Sequence, residues 1–255
     1  MNTVAAPGHW RAIDFISDLH LSAAMPATFD AWADYLQRTC ADAVFILGDL
    51  FELWVGDDAR CLPFETQCVE VLAQTSARRP LSFMVGNRDF LLGRDMLAAC
   101  GMSGLPDPTV LRAFGKRALL THGDILCLDD RPYQAFRKLV HSADWRSRTL
   151  ALTLTERQKM AADIRSQSES RRQFDGAINA DIDPVAALAW LLEADAPCLI
   201  HGHTHRPGSE PLAPGRQRHV LSDWDLDSSH RAEVLRWTQG GYLRIAPDRA
   251  HLPEG

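Results

Sequence analysis

The chain has 255 residues, of which 46% are apolar, 24% charged and 8% aromatic, and its formal net charge is −6. These are ordinary globular values, enough to bury a core in one domain or in one domain with an insert. No stretch approaches the roughly 20 apolar residues that span a bilayer, and the opening text MNTVAAPGHWRAIDFIS reads as no secretory signal, so a cytoplasmic chain is expected.

Taken in chain order, residues 1–10 read as a loose tail. Residues 12–16 are a predicted strand, and 29–38 a helix with Phe29, Trp32, Ala33 and Leu36 on one face. Then come a buried strand at 43–47, a helix at 65–73, a strand at 81–85, a helix at 94–100 and a strand at 118–121. From 131 to about 180 no strand pattern appears. Tyr133, Phe136, Arg137 and Val140 keep helical spacing, as do Met160 and Ile164, which predicts a helical insert or lid. A helix at 184–193 leads into a strand at 197–200, and strand-like text returns at 219–221, 233–237 and 242–245, with Gly240 and Gly241 marking a hairpin turn. Apolar strands alternating with helices predict a layered α/β core. There is no internal repeat or low-complexity tract, so the expectation is a single domain over 1–255 with the insert at about 131–180.

Charge is uneven along the chain. Between Arg131 and Arg172 ten Lys/Arg face four Asp/Glu, a local +6, which leaves −12 on the remainder. An acidic body suits cation binding, and a basic insert suits an anionic partner or a solvated helical face. The six cysteines, Cys40, Cys61, Cys68, Cys100, Cys127 and Cys198, form no C-x-x-C pair and read as reduced thiols rather than a zinc site.

Five short motifs follow five of the predicted strands: Asp18-Leu19-His20, Gly48-Asp49, Gly86-Asn87-Arg88-Asp89, His122-Gly123-Asp124 and His201-Gly202-His203-Thr204-His205. Singly, each reads as a turn residue, a helix cap or a satisfied core histidine. Jointly they differ, because the carboxyl ends of strands in α/β sheets converge on one crevice. Imidazole, carboxylate and amide oxygen suit borderline or hard divalent ions. Seven donors are too many for one tetrahedral ion and about right for two. Two ions roughly 3.5–4 Å apart share a bridging carboxylate and activate a water for in-line attack on phosphorus. Asp49 is the natural bridge.

The order D-x-H, G-D, G-N, H-G-D, G-H-x-H resembles the calcineurin-like metallophosphoesterases. The resemblance implies a four-layer α/β/β/α sandwich and a dinuclear centre, usually of two manganese ions. It would place Asp18, His20, Asp49 and His205 on one ion and Asp49, Asn87, His122 and His203 on the other, leaving His201 a neighbour. ILGDLFELWVGDD, GNRDFLLG, HGDILCLDDRPYQAFR and IHGHTHRP further resemble the UDP-2,3-diacylglucosamine pyrophosphohydrolase family of lipid A synthesis. That implies cleavage of a lipid-linked UDP-sugar to UMP and 2,3-diacylglucosamine 1-phosphate, peripherally at the cytoplasmic face of the inner membrane, with no nucleic acid and no obligate protein partner. It also implies substrate contacts from Asn87, Arg88, Asp130, Ser168, Arg172 and His203. Arg172 and Asp175 stand where that family usually has Asn and Lys.

Arg88 occupies the place where most calcineurin-like enzymes resemble G-N-H. Arginine stays charged and cannot protonate a leaving oxygen, but it clamps phosphate and stabilises developing charge. A leaving phosphate monoester needs no proton, so Arg88 is the expected catalytic side chain for a pyrophosphate substrate. In the insert, Trp145, Leu150, Leu152, Leu154 and Met160 lie among Arg137, Lys138, Arg146, Arg148, Arg157 and Lys159, a mixture suited to acyl chains at an anionic surface or to a helix packing its own core. Two other readings stand beside this one: a phosphoesterase for a different nucleotide diphosphate or phosphodiester, and a non-enzymatic scaffold on the same fold.

Overall fold

The computed structural model describes residues 1–174 and 181–252, without the side chains of 165–174. Strands β1 (Asn2–Ala5), β2 (Ala12–Ile16), β3 (Ala43–Leu47), β4 (Leu81–Met84), β5 (Ser103–Leu105), β6 (Thr109–Ala113), β7 (Lys116–Leu120), β8 (Cys198–His201), β9 (Gly208–Ala213), β10 (Arg216–Val220), β11 (Val234–Thr238) and β12 (Gly241–Ile245) form two six-stranded sheets. Their orders are β1-β6-β7-β8-β10-β9 and β12-β11-β2-β3-β4-β5. The helices are α1 (Pro26–Arg38), α2 (Pro63–Ser76), α3 (Arg94–Cys100), α4 (Arg131–Val140), α5 (Ala143–Leu150), α6 (Leu154–Phe174) and α7 (Pro184–Glu193). None of them, as far as described, is long and apolar enough to cross a membrane.

Three buried clusters define four layers. Ile13, Phe15, Phe45, Leu47, Leu120, Ile200 and Trp237 meet between the two sheets. Ile16, Val44, Ile46 and Phe83, on the opposite face of the second sheet, pack on Trp32, Tyr35, Leu36, Leu72 and Met96 of α1, α2 and α3. Leu119 and Leu199, on the outer face of the first sheet, pack on Ala187 and Leu191 of α7. Successive strand side chains point to opposite faces, so strands buried on both sides read as unbroken apolar runs. The layering is the expected α/β/β/α sandwich.

Most expected elements recur within a few residues, and 12–16, 43–47, 94–100 and 184–193 coincide with β2, β3, α3 and α7. The N-terminal ten residues are a correction: Asn2–Ala5 pairs in parallel with Thr109–Arg112 of β6 and forms a sheet edge rather than a tail. The segment after β7 is helical as expected, in α4, α5 and the described part of α6.

Each of these three helices is fastened by an arginine to a different loop at the carboxyl end of the sheets. Arg137 of α4 donates to Asp124 at 2.7 Å, Arg146 of α5 to the Phe90 carbonyl, and Arg157 of α6 to the Val55 carbonyl at 2.6 Å and to both oxygens of Asp58. Arg157 is buried, and desolvated charge of this kind persists only with full hydrogen bonding.

Beneath the site, β2 carries Asp14, wholly buried and paired with Arg236 through two hydrogen bonds of 2.7 and 3.0 Å, with Thr39 and Tyr35 hydroxyls completing its shell. Replacing Arg236 by Ala would strand that carboxylate, and a loss of about 3–5 kcal/mol in urea unfolding is expected. A loss under about 1 kcal/mol would mean the pair contributes little.

Candidate metal centre

β2, β3 and β4 run parallel in one sheet, and β7 and β8 run parallel in the other. Their carboxyl ends therefore open to the same edge of the sandwich, and the five motifs begin where these strands stop. The seven expected donors come together there.

Asp18, His20 and His205 form one group, and Asp18, Asp49 and His122 a second, with ligand atoms within 4.8 Å of one another in each. The two groups share Asp18. Asp49 Oδ2 lies 4.0 Å from His20 Nε2 and 3.7 Å from His122 Nε2, between the two sides. Asn87 Oδ1 sits 3.0 Å from His122 Nε2 and 2.7 Å from His203 Nδ1. His20 Nε2 and His205 Nε2 are 3.3 Å apart, and His205 Nε2 is 3.4 Å from Asp18 Oδ1.

The donor chemistry fits divalent cations. His122 Nδ1 is 2.9 Å from the Leu47 carbonyl, which only accepts, so Nδ1 carries the proton. Neutral His122 then aims the Nε2 lone pair at the Asn87 oxygen, and two acceptors face each other. A cation between them, or an extra proton, is what makes that contact favourable. Glycines leave room for the crowding: a Cβ on Gly86 would land on the Asp49 carboxylate, and one on Gly202 on Asp18 and Ser17.

Backbone conformation sets this centre apart. Eight described non-glycine residues have positive φ, and five of them are Asp18, His20, Asp49, His203 and His205, between 48° and 65°. Left-handed backbone costs such residues of order 1–3 kcal/mol each and persists where surrounding structure imposes it. Here hydrogen bonds impose it: Leu19 and His20 donate to the Asp49 carbonyl at 2.9 and 3.1 Å, and His203 N donates to both Asp18 oxygens at 3.0 Å.

Buried carboxylates dominate the electrostatics. Burial favours neutral His122, but the charges of Asp49, Asp18 and Asp124 outweigh it and push its pKa up to about 9. Burial, then the neighbouring Asp49, raises Asp89 to about 7. Burial and the adjacent His122 lower His203 to about 3. Burial works against ionised Asp18, yet the histidines around it hold it well below the usual range.

Other expected residues are placed as follows. Arg88 donates its backbone N–H to Asp49 Oδ1 at 2.8 Å, and its guanidinium is 3.8 Å from Glu52 at the rim of the centre. Asp130 caps α4, accepting from Tyr133 N at 3.0 Å, and belongs to neither donor group. The side chains of Ser168 and Arg172 lie outside the described residues, as does Asp175. His201 is buried, 2.9 Å from the Gly202 carbonyl and outside both donor groups, in keeping with a neighbour's place.

Three further residues support the donors with little mark in the sequence. Glu52 Oε2 is 3.0 Å from His20 Nδ1, and Asp223 Oδ2 is 3.7 Å from His205 Nδ1. Tyr133 stacks on His203, with ring centroids 6.0 Å apart at 29°, and hydrogen-bonds Asp124. An acid three residues beyond Asp49 is the one signal that finds Glu52. Asp223 sits in a divergent C-terminal stretch and offers none.

Residues 12–207 match the family model of the calcineurin-like phosphoesterases. A Shewanella baltica protein named UDP-2,3-diacylglucosamine hydrolase is 44% identical over 246 residues, covering 93% of this chain and 95% of its own. A Bordetella parapertussis protein of the same name is 39% identical over 256 residues, covering 97% and 95%.

The raised values carry a sign. A group whose folded pKa exceeds its unfolded value stabilises the fold below the unfolded pKa, and that contribution is lost as pH rises through the folded pKa. For His122 the window runs from 6.5 to about 9, and Asp89 acts in the same direction up to about 7. The metal-free protein is expected to lose thermal stability between pH 6.5 and 9, and saturating Mn²⁺ to reverse that slope, because the cation takes the proton's place. Parallel melting curves with and without Mn²⁺ would contradict this.

Proposed function

The chain belongs to the calcineurin-like phosphoesterases, and on that premise we propose that it hydrolyses the pyrophosphate bond of UDP-2,3-diacylglucosamine, releasing UMP and 2,3-diacylglucosamine 1-phosphate for lipid A synthesis. The observation that carries this reading is the similarity to hydrolases named for that substrate across 93–97% of the chain. The intact donor set supports it, since a scaffold on this fold has no need of seven ligands.

Asp18, His20, Asp49 and His205 would hold one divalent ion and Asp49, Asn87, His122 and His203 the other, with manganese the metal this donor set would suit. When bound, the ions supply an activated water and neutralise charge on the phosphoryl oxygens. The chain's own residues do the rest. Arg88, permanently cationic, clamps the phosphate oxygens and stabilises charge as the bridging bond breaks. The water oxygen stays on one phosphorus with one of its protons, the bridging oxygen leaves with the other phosphate, and the second water proton passes to solvent. The departing phosphate monoester needs no acid, which suits an arginine in this place. Tyr133 of α4, held by its hydrogen bond to Asp124, braces His203 by stacking on it. Asp130, Ser168 and Arg172 complete the substrate contacts.

The helical segment serves as a lid over the acyl chains and as the membrane-facing surface. Leu128, Leu139, Leu150 and Leu152 are 40–55% exposed, on a segment rich in arginine and lysine. Apolar and basic groups together favour an anionic bilayer surface, consistent with peripheral attachment at the cytoplasmic face of the inner membrane. Co-sedimentation with vesicles containing anionic lipid is expected to fall several-fold in a Leu139→Glu/Leu150→Glu variant. Unchanged co-sedimentation would remove this surface from the reading.

In a Mn²⁺-dependent assay the chain is expected to cleave UDP-2,3-diacylglucosamine far faster than a simple aryl phosphodiester, and EDTA or Asp49→Ala to abolish turnover. Arg88→Ala is expected to lower kcat on the order of 10²–10³-fold, the usual effect of removing a charge-stabilising donor. Equal or better cleavage of the aryl diester would transfer the assignment to a general phosphodiesterase, and an unaltered Arg88→Ala rate would end the role given to Arg88.

A further inference from the structure

Hydrogen bonding between the first two donor loops continues past the ends of β2 and β3. His20 N donates to the Asp49 carbonyl at 3.1 Å, Leu21 N to the Leu50 carbonyl at 3.0 Å and Glu52 N to the Leu21 carbonyl at 3.2 Å. This extended ladder sets Glu52 beside His20. One carboxylate oxygen, Oε2, lies 3.0 Å from His20 Nδ1, and the other, Oε1, lies 3.8 Å from Arg88 Nη1. Arg88 is itself pinned on both sides, its N–H donating to Asp49 Oδ1 at 2.8 Å and its carbonyl accepting from Trp54 N at 3.0 Å. A single acid, with a side chain 20% exposed, thus touches a metal-ligand histidine and the phosphate-clamping arginine at once.

We propose that Glu52 is a positioning residue that orients His20 toward its ion through one oxygen and holds Arg88 ready for the substrate phosphate through the other, the Arg88 half resting on the function proposed above. The carboxylate sits 3.0 Å from Nδ1 but off the line of a hydrogen bond, so it favours the proton there by charge and leaves the Nε2 lone pair for the cation. It also restricts the ring and raises its basicity, as acids behind metal-bound histidines do. That Nε2 already points toward His205 Nε2 at 3.3 Å and Asp49 Oδ2 at 4.0 Å. The 3.8 Å contact to Arg88 is longer than a hydrogen bond, so it steers the guanidinium by charge and releases it to a phosphate without breaking a short bond. Glu52 therefore links cation binding to substrate binding.

Two substitutions separate the halves. Glu52→Ala removes both, whereas Glu52→Gln keeps a neutral acceptor for His20 and removes the charge facing Arg88. Titration of the metal-free protein with Mn²⁺, read by electron paramagnetic resonance, is expected to show binding about 10–100-fold weaker in Glu52→Ala and mostly restored in Glu52→Gln. With Mn²⁺ saturating, Glu52→Gln is expected to raise KM for UDP-2,3-diacylglucosamine several-fold with a smaller change in kcat, and to have no further effect on kcat/KM in an Arg88→Ala background. Wild-type Mn²⁺ affinity in a folded Glu52→Ala protein would overturn the His20 half. An equal loss from Glu52→Gln with and without Arg88 would overturn the Arg88 half. The Mn²⁺ titration reads Glu52 whether or not the wild-type chain cleaves the UDP-sugar, so failure of the proposed function is distinguishable.

Discussion

Carboxylates stripped of water govern this molecule. Asp18, Asp49 and Asp89 are at most 1% exposed, and among the described residues no lysine or arginine pairs with any of them. Burying an unpaired carboxylate is among the largest penalties a fold can carry. Partial relief comes from backbone N–H groups, three of them on Asp89 alone, from Asp49, Leu50 and Gly86. The remainder comes from positive charge, either protons on the imidazoles, as the raised His122 shows, or cations held by the imidazoles and the Asn87 amide.

The sandwich makes that concentration of charge possible. Two sheets, each with parallel strands at its centre, stop at one edge and turn their loops toward each other. The helices α4, α5 and α6 then fasten those loops from above through Arg137, Arg146 and Arg157, one arginine to each loop. The helical segment is thereby tied to the loops that carry the donors.

Much of this was legible in the amino-acid order, for identifiable reasons. β2, β3, β7 and β8 are buried over most of their length and read mainly as apolar runs, Asp14 of β2 and the first two residues of β7 apart, and each donor motif begins at the end of one of them or just beyond β4. What escaped lies at the sheet edges, and in β6 beside one of them. β1 is four mostly exposed residues, β5 three, and β9 contains Pro211, so none shows a periodic pattern. β6 (TVLRA) is buried at all but Arg112, yet that arginine and the threonine at its start break the apolar run. The supporting acids escaped for a different reason. Glu52 and Asp223 matter through contacts between distant stretches of chain, and a carboxylate in a loop looks alike whether it faces solvent or an imidazole.

The left-handed backbone at Asp18, His20, Asp49, His203 and His205 has a consequence for the stability of the chain. Each of these residues is held where glycine or asparagine would rest more easily, so catalytic competence is maintained against a standing conformational cost. Holding all five in this tense geometry is a standing strain that the hydrogen bonds around them must offset.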